Sequence, residues 1–218
     1  PSLIVHRDIP SLASLVSICD VAIAAPGFSA LERACLNLPS LLIHTSQNQL
    51  KPAESLHKSN VSIHLGHFSS VTGPQIAQSL DLILSEKFNP ISGNFLTDGF
   101  GSRRISYFLS SRKPDLHIRP AVSFDKFLLW RWANDFSVRM NSFSPDLISP
   151  SSHLSWFINR FSNKLSKFYI LCDSIGCPLG QIRFDLLADS QYSIDLSLDY
   201  AVRGMGLSAA ALSLAIEY

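Results

Sequence analysis

Short apolar runs separated by helical patterns fill the first half of the chain, and that alternation restricts it to few architectures. Val21–Ala25, Ser40–Ile43 and Val61–Leu65 have strand length and turn residues at their ends. Amphipathic stretches lie at about Leu12–Ile18, Ser29–Leu36, Gln49–Lys58 and Pro74–Ser85, and Leu3–His6 reads as a further strand. Strands joined by helices at this spacing need right-handed crossovers, so an α/β unit with a Rossmann-like parallel sheet, covered on both faces, is predicted. Lys87–Gly99 is rich in Pro, Gly and Asn and reads as a loop. Phe100–Ser111 is helical, with Ile105, Phe108 and Leu109 at core spacing. Arg112–Asp115 then breaks the pattern, which puts the domain boundary between 113 and 114.

The second half has another rhythm. Leu116–Val122 reads as a strand and Phe124–Arg139 as one helix, with Phe127, Leu128, Arg131 and Trp132 on one face. A second helix carries His153, Leu154, Trp156, Phe157 and Phe161. Phe168–Cys172, Leu179–Leu187 and Tyr192–Leu198 are strands, and an Ala/Leu-rich helix closes the sequence. The order β-α-α-β-β-β-α describes an α+β layout with mostly antiparallel strands.

Composition narrows the function classes. The 218 residues are 46% hydrophobic and 16% charged, enough for a packed core and too uncharged for a disordered chain. With 18 basic and 17 acidic residues there is no electrostatic reason to expect nucleic acid or an anionic membrane as partner. Mean hydropathy is +0.19, yet no run approaches the ~20 apolar residues of a membrane span. No signal-peptide pattern opens the sequence, and Cys19, Cys35, Cys172 and Cys177 form no CxxC pair, which together point to a reducing cytoplasm. Pro1 and Tyr218, the latter inside a helical pattern, point to a piece of a longer polypeptide. His64 and His67 have no third ligand nearby in the sequence and read as a strand-end pair, so no metal is expected.

The most informative residues run from Asp199 to Ala210. A strand ends, a short loop carries Arg203, Gly204 and Gly206, and a helix begins at once. A helix N-terminus presents free N–H groups and a positive dipole end, and glycines let a pyrophosphate approach the backbone. A purely structural start to the helix fits the same spacing. The segment Arg203-Gly204-Met205-Gly206-Leu207-Ser208 resembles motif A of the GNAT N-acetyltransferases, with Ser208 where Gly or Ala is usual. The resemblance extends over His117–Ala121, Trp130–Asp135 with Val138-Arg139, His153–Phe157 and Gly180–Asp185, the last two being similar to the amino-sugar group of that family.

That resemblance implies an incomplete GNAT fold over residues 114–218, with acetyl-CoA as cosubstrate. Its pantetheine would lie along the backbone at Leu196 and Leu198, and its pyrophosphate on Arg203, Gly204, Met205, Gly206, Leu207 and Ser208. Asp195, facing away from Ile194 and Leu196, is a candidate general base or else a structural carboxylate. His153 either contacts a substrate sugar or satisfies a hydrogen bond in the core.

A second strand–turn–helix junction lies at Ala25–Arg33. Gly27 supplies the turn and Ser29 an N-cap, with Glu32 completing an S-x-x-E capping box or reaching a ribose. Gly27, Ser29, Glu32, Asn37-Leu38-Pro39, Gln47-Asn48-Gln49 and Asp98–Arg104 together resemble the C-terminal domain of GT-B nucleotide-sugar enzymes, nearest the UDP-sugar hydrolase of pseudaminic-acid biosynthesis. The resemblance implies a nucleotide-sugar partner held by Gly27, Ser29, Glu32, Gln47, Asn48 and Gln49. The two likenesses together imply an acetyltransferase for a UDP-amino-sugar fused to a hydrolase-type domain. An acetyltransferase for a protein N-terminus or another amine, and a non-catalytic binding module, are the alternatives.

Overall fold

The structure is a computed structural model that describes residues 3–9, 11–85, 87–88, 93, 96–187 and 191–218. Of the loop expected over Lys87–Gly99, residues 89–92, 94 and 95 lie outside the described residues. The chain forms two compact units, 1–99 and 100–218.

In the first unit a short helix α1 (Ala13–Val16) precedes β1 (Ala22–Ala24), α2 (Phe28–Cys35) and β2 (Ser40–His44). A 3-10 turn (Gln47–Gln49), α3 (Leu50–Lys58), β3 (Ile63–His67) and α4 (Gly73–Leu84) follow. The strands form a parallel sheet in the order β1-β2-β3, as strand–helix alternation requires. β2 is central, and its Leu41 and Leu42 are wholly buried, which is why this strand reads as an apolar run without alternation. Leu42 packs with Ala30, Ala34, Leu56 and Val61. Two expectations fail here. Residues 3–6 form no strand, and the third strand begins at Ile63 rather than Val61, whose side chain fills the core beneath the sheet.

The second unit contains α5 (Gly101–Ser110), β4 (His117–Pro120), α6 (Asp125–Ala133), α7 (Phe136–Met140) and α8 (Pro150–Phe161). After them come β5 (Ser166–Cys172), β6 (Pro178–Leu186), β7 (Tyr192–Leu198), a 3-10 turn (Tyr200–Val202) and α9 (Ser208–Glu217). The sheet is antiparallel in the order β4-β5-β6-β7. Alternation along β5 sends Phe168, Ile170 and Cys172 to a cluster with Leu128, Leu129, Trp132 and Phe157, and Tyr169 to another with Ile182 and Ala215. The sheet is thus covered by α6 and α8 on one face and α9 on the other. Burying a side chain such as Ile170 is worth roughly 1.5–3 kcal/mol.

Three readings change. The helix expected over Phe124–Arg139 is two helices, because Asp135 caps α7 by accepting from Ser137 N–H and Val138 N–H. Asn134 holds that corner by exchanging hydrogen bonds with the Ile148 backbone at 2.7 and 3.1 Å. On α5 the residues at supposed core spacing, Ile105, Phe108 and Leu109, are exposed, and Tyr107 is buried instead. Tyr107 packs with Cys177, Leu179, Val202 and Leu207, and its hydroxyl donates to Asp173 at 2.7 Å. These contacts place α5 within the second unit, so the division falls before Phe100 and not after Lys113.

Candidate active site and anion-binding groove

The turn after β7 is anchored before it is opened. Asp199 accepts from Ala201 N–H at 3.0 Å and from Trp132 Nε1–H at 2.7 Å, and it forms an ion pair with Arg104, whose Nε lies 3.1 Å away. Val202 and Leu207 are both buried in the cluster around Tyr107. Between these anchors Gly204 and Gly206 adopt left-handed φ angles of 76° and 70°, which L side chains rarely take. The first ladder bond of α9 runs from Ala211 N–H to Leu207 C=O at 2.9 Å, and Leu207 offers no side-chain cap. Ser208, Ala209 and Ala210 therefore start the helix with amides that have no intrahelical acceptor.

A groove of about 520 Å³ opens beside this turn, lined by Lys113, Ser137, Tyr200, Arg203, Gly204 and Met205 among others. A Cβ at Gly206 would lie 3.8 Å from Lys113 Nζ, so an ammonium stands next to the glycine turn. Phe108 and Tyr200, both exposed, stack on the same groove with centroids 5.7 Å apart. Arg203 is largely committed elsewhere. Its Nε donates to Leu198 C=O at 2.7 Å, and its Nη1 to Asp135 Oδ1 at 2.9 Å and to Ser137 Oγ. Only Nη2 is left, buried and without a partner among the described residues. Burial alone would raise the Asp135 carboxyl, but hydrogen bonds from Ser137 and Arg203, with the Arg203 charge, hold it below its ordinary value.

The second feature is a cavity of about 460 Å³ enclosed by α6, α7, α8 and the sheet. Asp195 reaches it from β7, on the face that alternation predicts. Its oxygens are both engaged: Oδ1 accepts from Gln181 Nε2 at 3.1 Å and Oδ2 from Arg183 Nη2 at 2.9 Å. Arg183 also donates to Asp185 at 2.8 Å and lies over the Trp156 and Phe168 rings at 5.2 and 5.7 Å. His153 lines the same cavity and is buried. Its Nε2 lies 2.8 Å from Lys126 C=O, which can only accept, so Nε2 carries the proton and Nδ1 the lone pair. Burial pushes the His153 pKa down, and the Lys126 hydrogen bond offsets this only in part.

Leu196 and Leu198 turn their side chains into apolar clusters, so only their backbone can meet a ligand. β7 ends the sheet order, and its outer edge carries no strand among the described residues. Gln181, Arg183 and Lys113 were missed in the sequence as individual site residues. For the first two, strand alternation was the available signal. For Lys113, which precedes the strand by several residues, there was none.

In the first unit the residues expected to hold a nucleotide sugar are in part engaged with neighbouring side chains and in part exposed. Gly27, not Ser29, is the N-cap of α2, at an ordinary φ of −88° with open space where a Cβ would stand. The Ser29–Glu32 capping box does not form. Ser29 Oγ accepts from Arg33 Nη1 at 3.1 Å, and Glu32 is exposed. Arg33 is buried, donating also to Ser40 Oγ at 3.2 Å and Ala25 C=O at 3.3 Å. Gln47 is exposed, Asn48 accepts from Ser46 Oγ at 2.6 Å, and Gln49 Oε1 accepts from Thr45 N–H at 2.9 Å. His64 pairs not with His67 but with the buried His44, Nδ1 to Nε2 at 2.9 Å. Among the described residues no group of three His, Cys, Asp or Glu is arranged to hold a metal ion, and no helix is long and apolar enough to cross a membrane.

No protein-family model and no curated protein matches this chain. Among solved structures it is similar to a spermidine N-acetyltransferase from Vibrio cholerae in complex with CoA and spermine, at 12% identity and a TM-score of 0.42. That likeness covers 47% of this chain and 62% of the acetyltransferase, so the chain spans less than two thirds of its length. A domain from Methanocaldococcus jannaschii is similar at 15% identity and a TM-score of 0.42, covering 48% of this chain and 70% of that domain.

Proposed function

We propose that the second unit binds acetyl-CoA and transfers its acetyl group to an amine, as a GNAT N-acetyltransferase does. One observation carries this reading: the left-handed Gly204–Gly206 turn leads straight into α9, whose first residues Ser208–Ala210 are exposed, and Lys113 stands at Gly206 beside a groove lined by Gly204 and Met205. Backbone N–H groups at a helix N-terminus, with an ammonium beside them, bind a diphosphate through charge-assisted hydrogen bonds. The unpartnered Nη2 of Arg203 supports the same assignment, because an anion would satisfy it. The exposed Phe108–Tyr200 stack offers an adenine ring a flat surface. The open edge of β7 at Leu196 and Leu198 suits the amides of pantetheine.

Acetyl-CoA supplies a thioester, an acyl group activated toward an amine. The chain's own part is to hold the coenzyme along β7 and the amine in the adjoining cavity, so that the two meet in one orientation. Asp195 is better suited to positioning Arg183 and Gln181 than to taking a proton, because both its oxygens are engaged. A UDP-amino-sugar as acceptor, and a nucleotide-sugar domain ahead of it, are supported by the sequence likenesses alone.

Calorimetric titration of the full polypeptide with CoA tests the core of this reading. Micromolar affinity that falls about tenfold in Lys113→Ala supports it, a fold-change matching roughly 1.4 kcal/mol. Absence of binding overturns it. Binding without turnover of any amine would leave a coenzyme-holding module.

A further inference from the structure

The cavity beneath Trp132 and Trp156 holds polar groups that the coenzyme groove does not use. Gln181 is buried, and its Nε2 donates to Asp195, which leaves Oε1 as a buried acceptor with no partner among the described residues. Arg139 is its counterpart on α7: Nη1 and Nη2 are taken by Ser144 C=O and Ser142 Oγ, while Nε is a buried donor with no partner among the described residues. His153 completes the set. Its Nε2–H is spent on Lys126, so Nδ1 keeps a lone pair within a cavity of aromatic walls. Native proteins leave few buried polar atoms unpaired, and each unpaired one is costly. An orphan acceptor, an orphan donor and an imidazole lone pair, on three residues that line one cavity, match an amine that also carries an oxygen.

We propose that this cavity is the acceptor site, that Gln181 Oε1 receives an N–H of a primary amine bearing hydroxyl or carboxylate oxygens, and that His153 Nδ1 takes the proton converting its ammonium to the free amine. The inference rests on the acetyl-transfer reading above. The step balances: the ammonium loses one proton and regains its nitrogen lone pair, and the neutral imidazole becomes imidazolium. The charged groups facing the cavity are Arg139 on α7, Arg183 on β6 and Asp195 on β7. Arg183 is offset by carboxylates, so the charge that favours an oxygen-bearing amine over a polyamine is that of Arg139, whose hydrogen bonds go to neutral oxygens. With Arg183 paired to Asp185 and Asp195, Arg139 is the charge that opposes the imidazolium and keeps His153 ready to accept again.

The test is made on the full polypeptide with D-glucosamine, L-serine and spermidine as probes. In ¹⁵N-histidine NMR spectra at neutral pH, His153 should be protonated on Nε2 alone. Its Nδ1 signal should move on addition of D-glucosamine or L-serine at concentrations where spermidine leaves it still. His153→Gln keeps a donor for Lys126 but has no imidazole lone pair. It should lose about a hundredfold in kcat and the acidic limb of the pH–rate profile, with CoA affinity unchanged. Gln181→Met should raise KM for the amine about tenfold at near-constant kcat. A doubly protonated ring, a signal moved by none of the probes, or a His153→Gln variant with its acidic limb intact overturns the proposal. CoA calorimetry on the same samples separates the two failures. Lost CoA affinity removes the acetyl-transfer reading, whereas intact CoA affinity with an unmoved His153 signal removes this inference alone.

Discussion

Two turns in this molecule lead from a strand over glycine into a helix, at Ala25–Ser29 in the first unit and at Arg203–Ser208 in the second. In the first, the backbone stays at ordinary φ, and the neighbouring arginine is folded inward onto Ser29, Ser40 and Ala25. In the second, two glycines are left-handed, the arginine is turned aside with one nitrogen unpaired, and a lysine stands at the glycine. The same local chemistry therefore spends the arginine at one turn on its own unit and leaves a lysine beside the other. What differs is where the cation goes: Arg33 holds its own unit together, whereas Lys113 stands beside the glycines and one nitrogen of Arg203 has no partner among the described residues.

The largest expected effects come from removing those arginines. Arg33→Met should destabilise the first unit by about 2–3 kcal/mol, because it strips the donor from Ala25 C=O and Ser29 in a buried site. CoA affinity should stay as it was. Arg203→Ala should cost about 1–2 kcal/mol of stability through Asp135 and Leu198 C=O and should weaken CoA binding as well. Thermal melts with calorimetry on both variants would break the comparison if Arg33→Met, too, abolished CoA binding.

Glycine substitutions come next. Gly206→Val places a β-branched residue in the left-handed region, at a cost of roughly 1–2 kcal/mol, with its Cβ toward Lys113. A tenfold loss of CoA affinity is expected. Gly27→Ala meets no atom within 4 Å at an ordinary φ and should change stability by about 0.5 kcal/mol with no effect on CoA. Equal effects at the two sites would erase the distinction.

The smallest expected effect is a pH dependence shared by both regions. Burial lowers the pKa of His64 in the first unit, helped by His44 and His57, and of His153 in the second. Between the folded and unfolded pKa values the unfolded chain binds more protons, so stability is complete above about pH 6.5 and declines as pH falls below it. A loss of a few degrees in Tm between pH 7.5 and 5.5 is expected, and His153→Gln should flatten part of it. The carboxylates of half-buried Asp135 and Asp185 and of buried Asp173, held below their ordinary values by their hydrogen bonds against the opposing effect of burial, act in a separate window below about pH 4.

Periodicity carried the strands well. Ser40–His44, Ser166–Cys172, Pro178–Leu186 and Tyr192–Leu198 lie within a residue or two of the expected runs. The face of α5 was illegible because Tyr107 is buried by packing against Cys177, Leu179, Val202 and Leu207, all far along the chain, and its hydroxyl bonds Asp173, 66 positions away. Asp195 could be assigned to a face from alternation, but its partners Gln181 and Arg183 follow from the register of β6 against β7.

Residue order by itself therefore determined which segments become strands and helices, and that a glycine turn precedes α9, because backbone geometry and side-chain period act within a few residues. The tertiary structure decided which charges are spent and which are left. Arg203 meets Asp135 across 68 positions and Trp132 meets Asp199 across 67. A side chain's partner depends on which elements pack together, and burial then sets what an unpaired group costs.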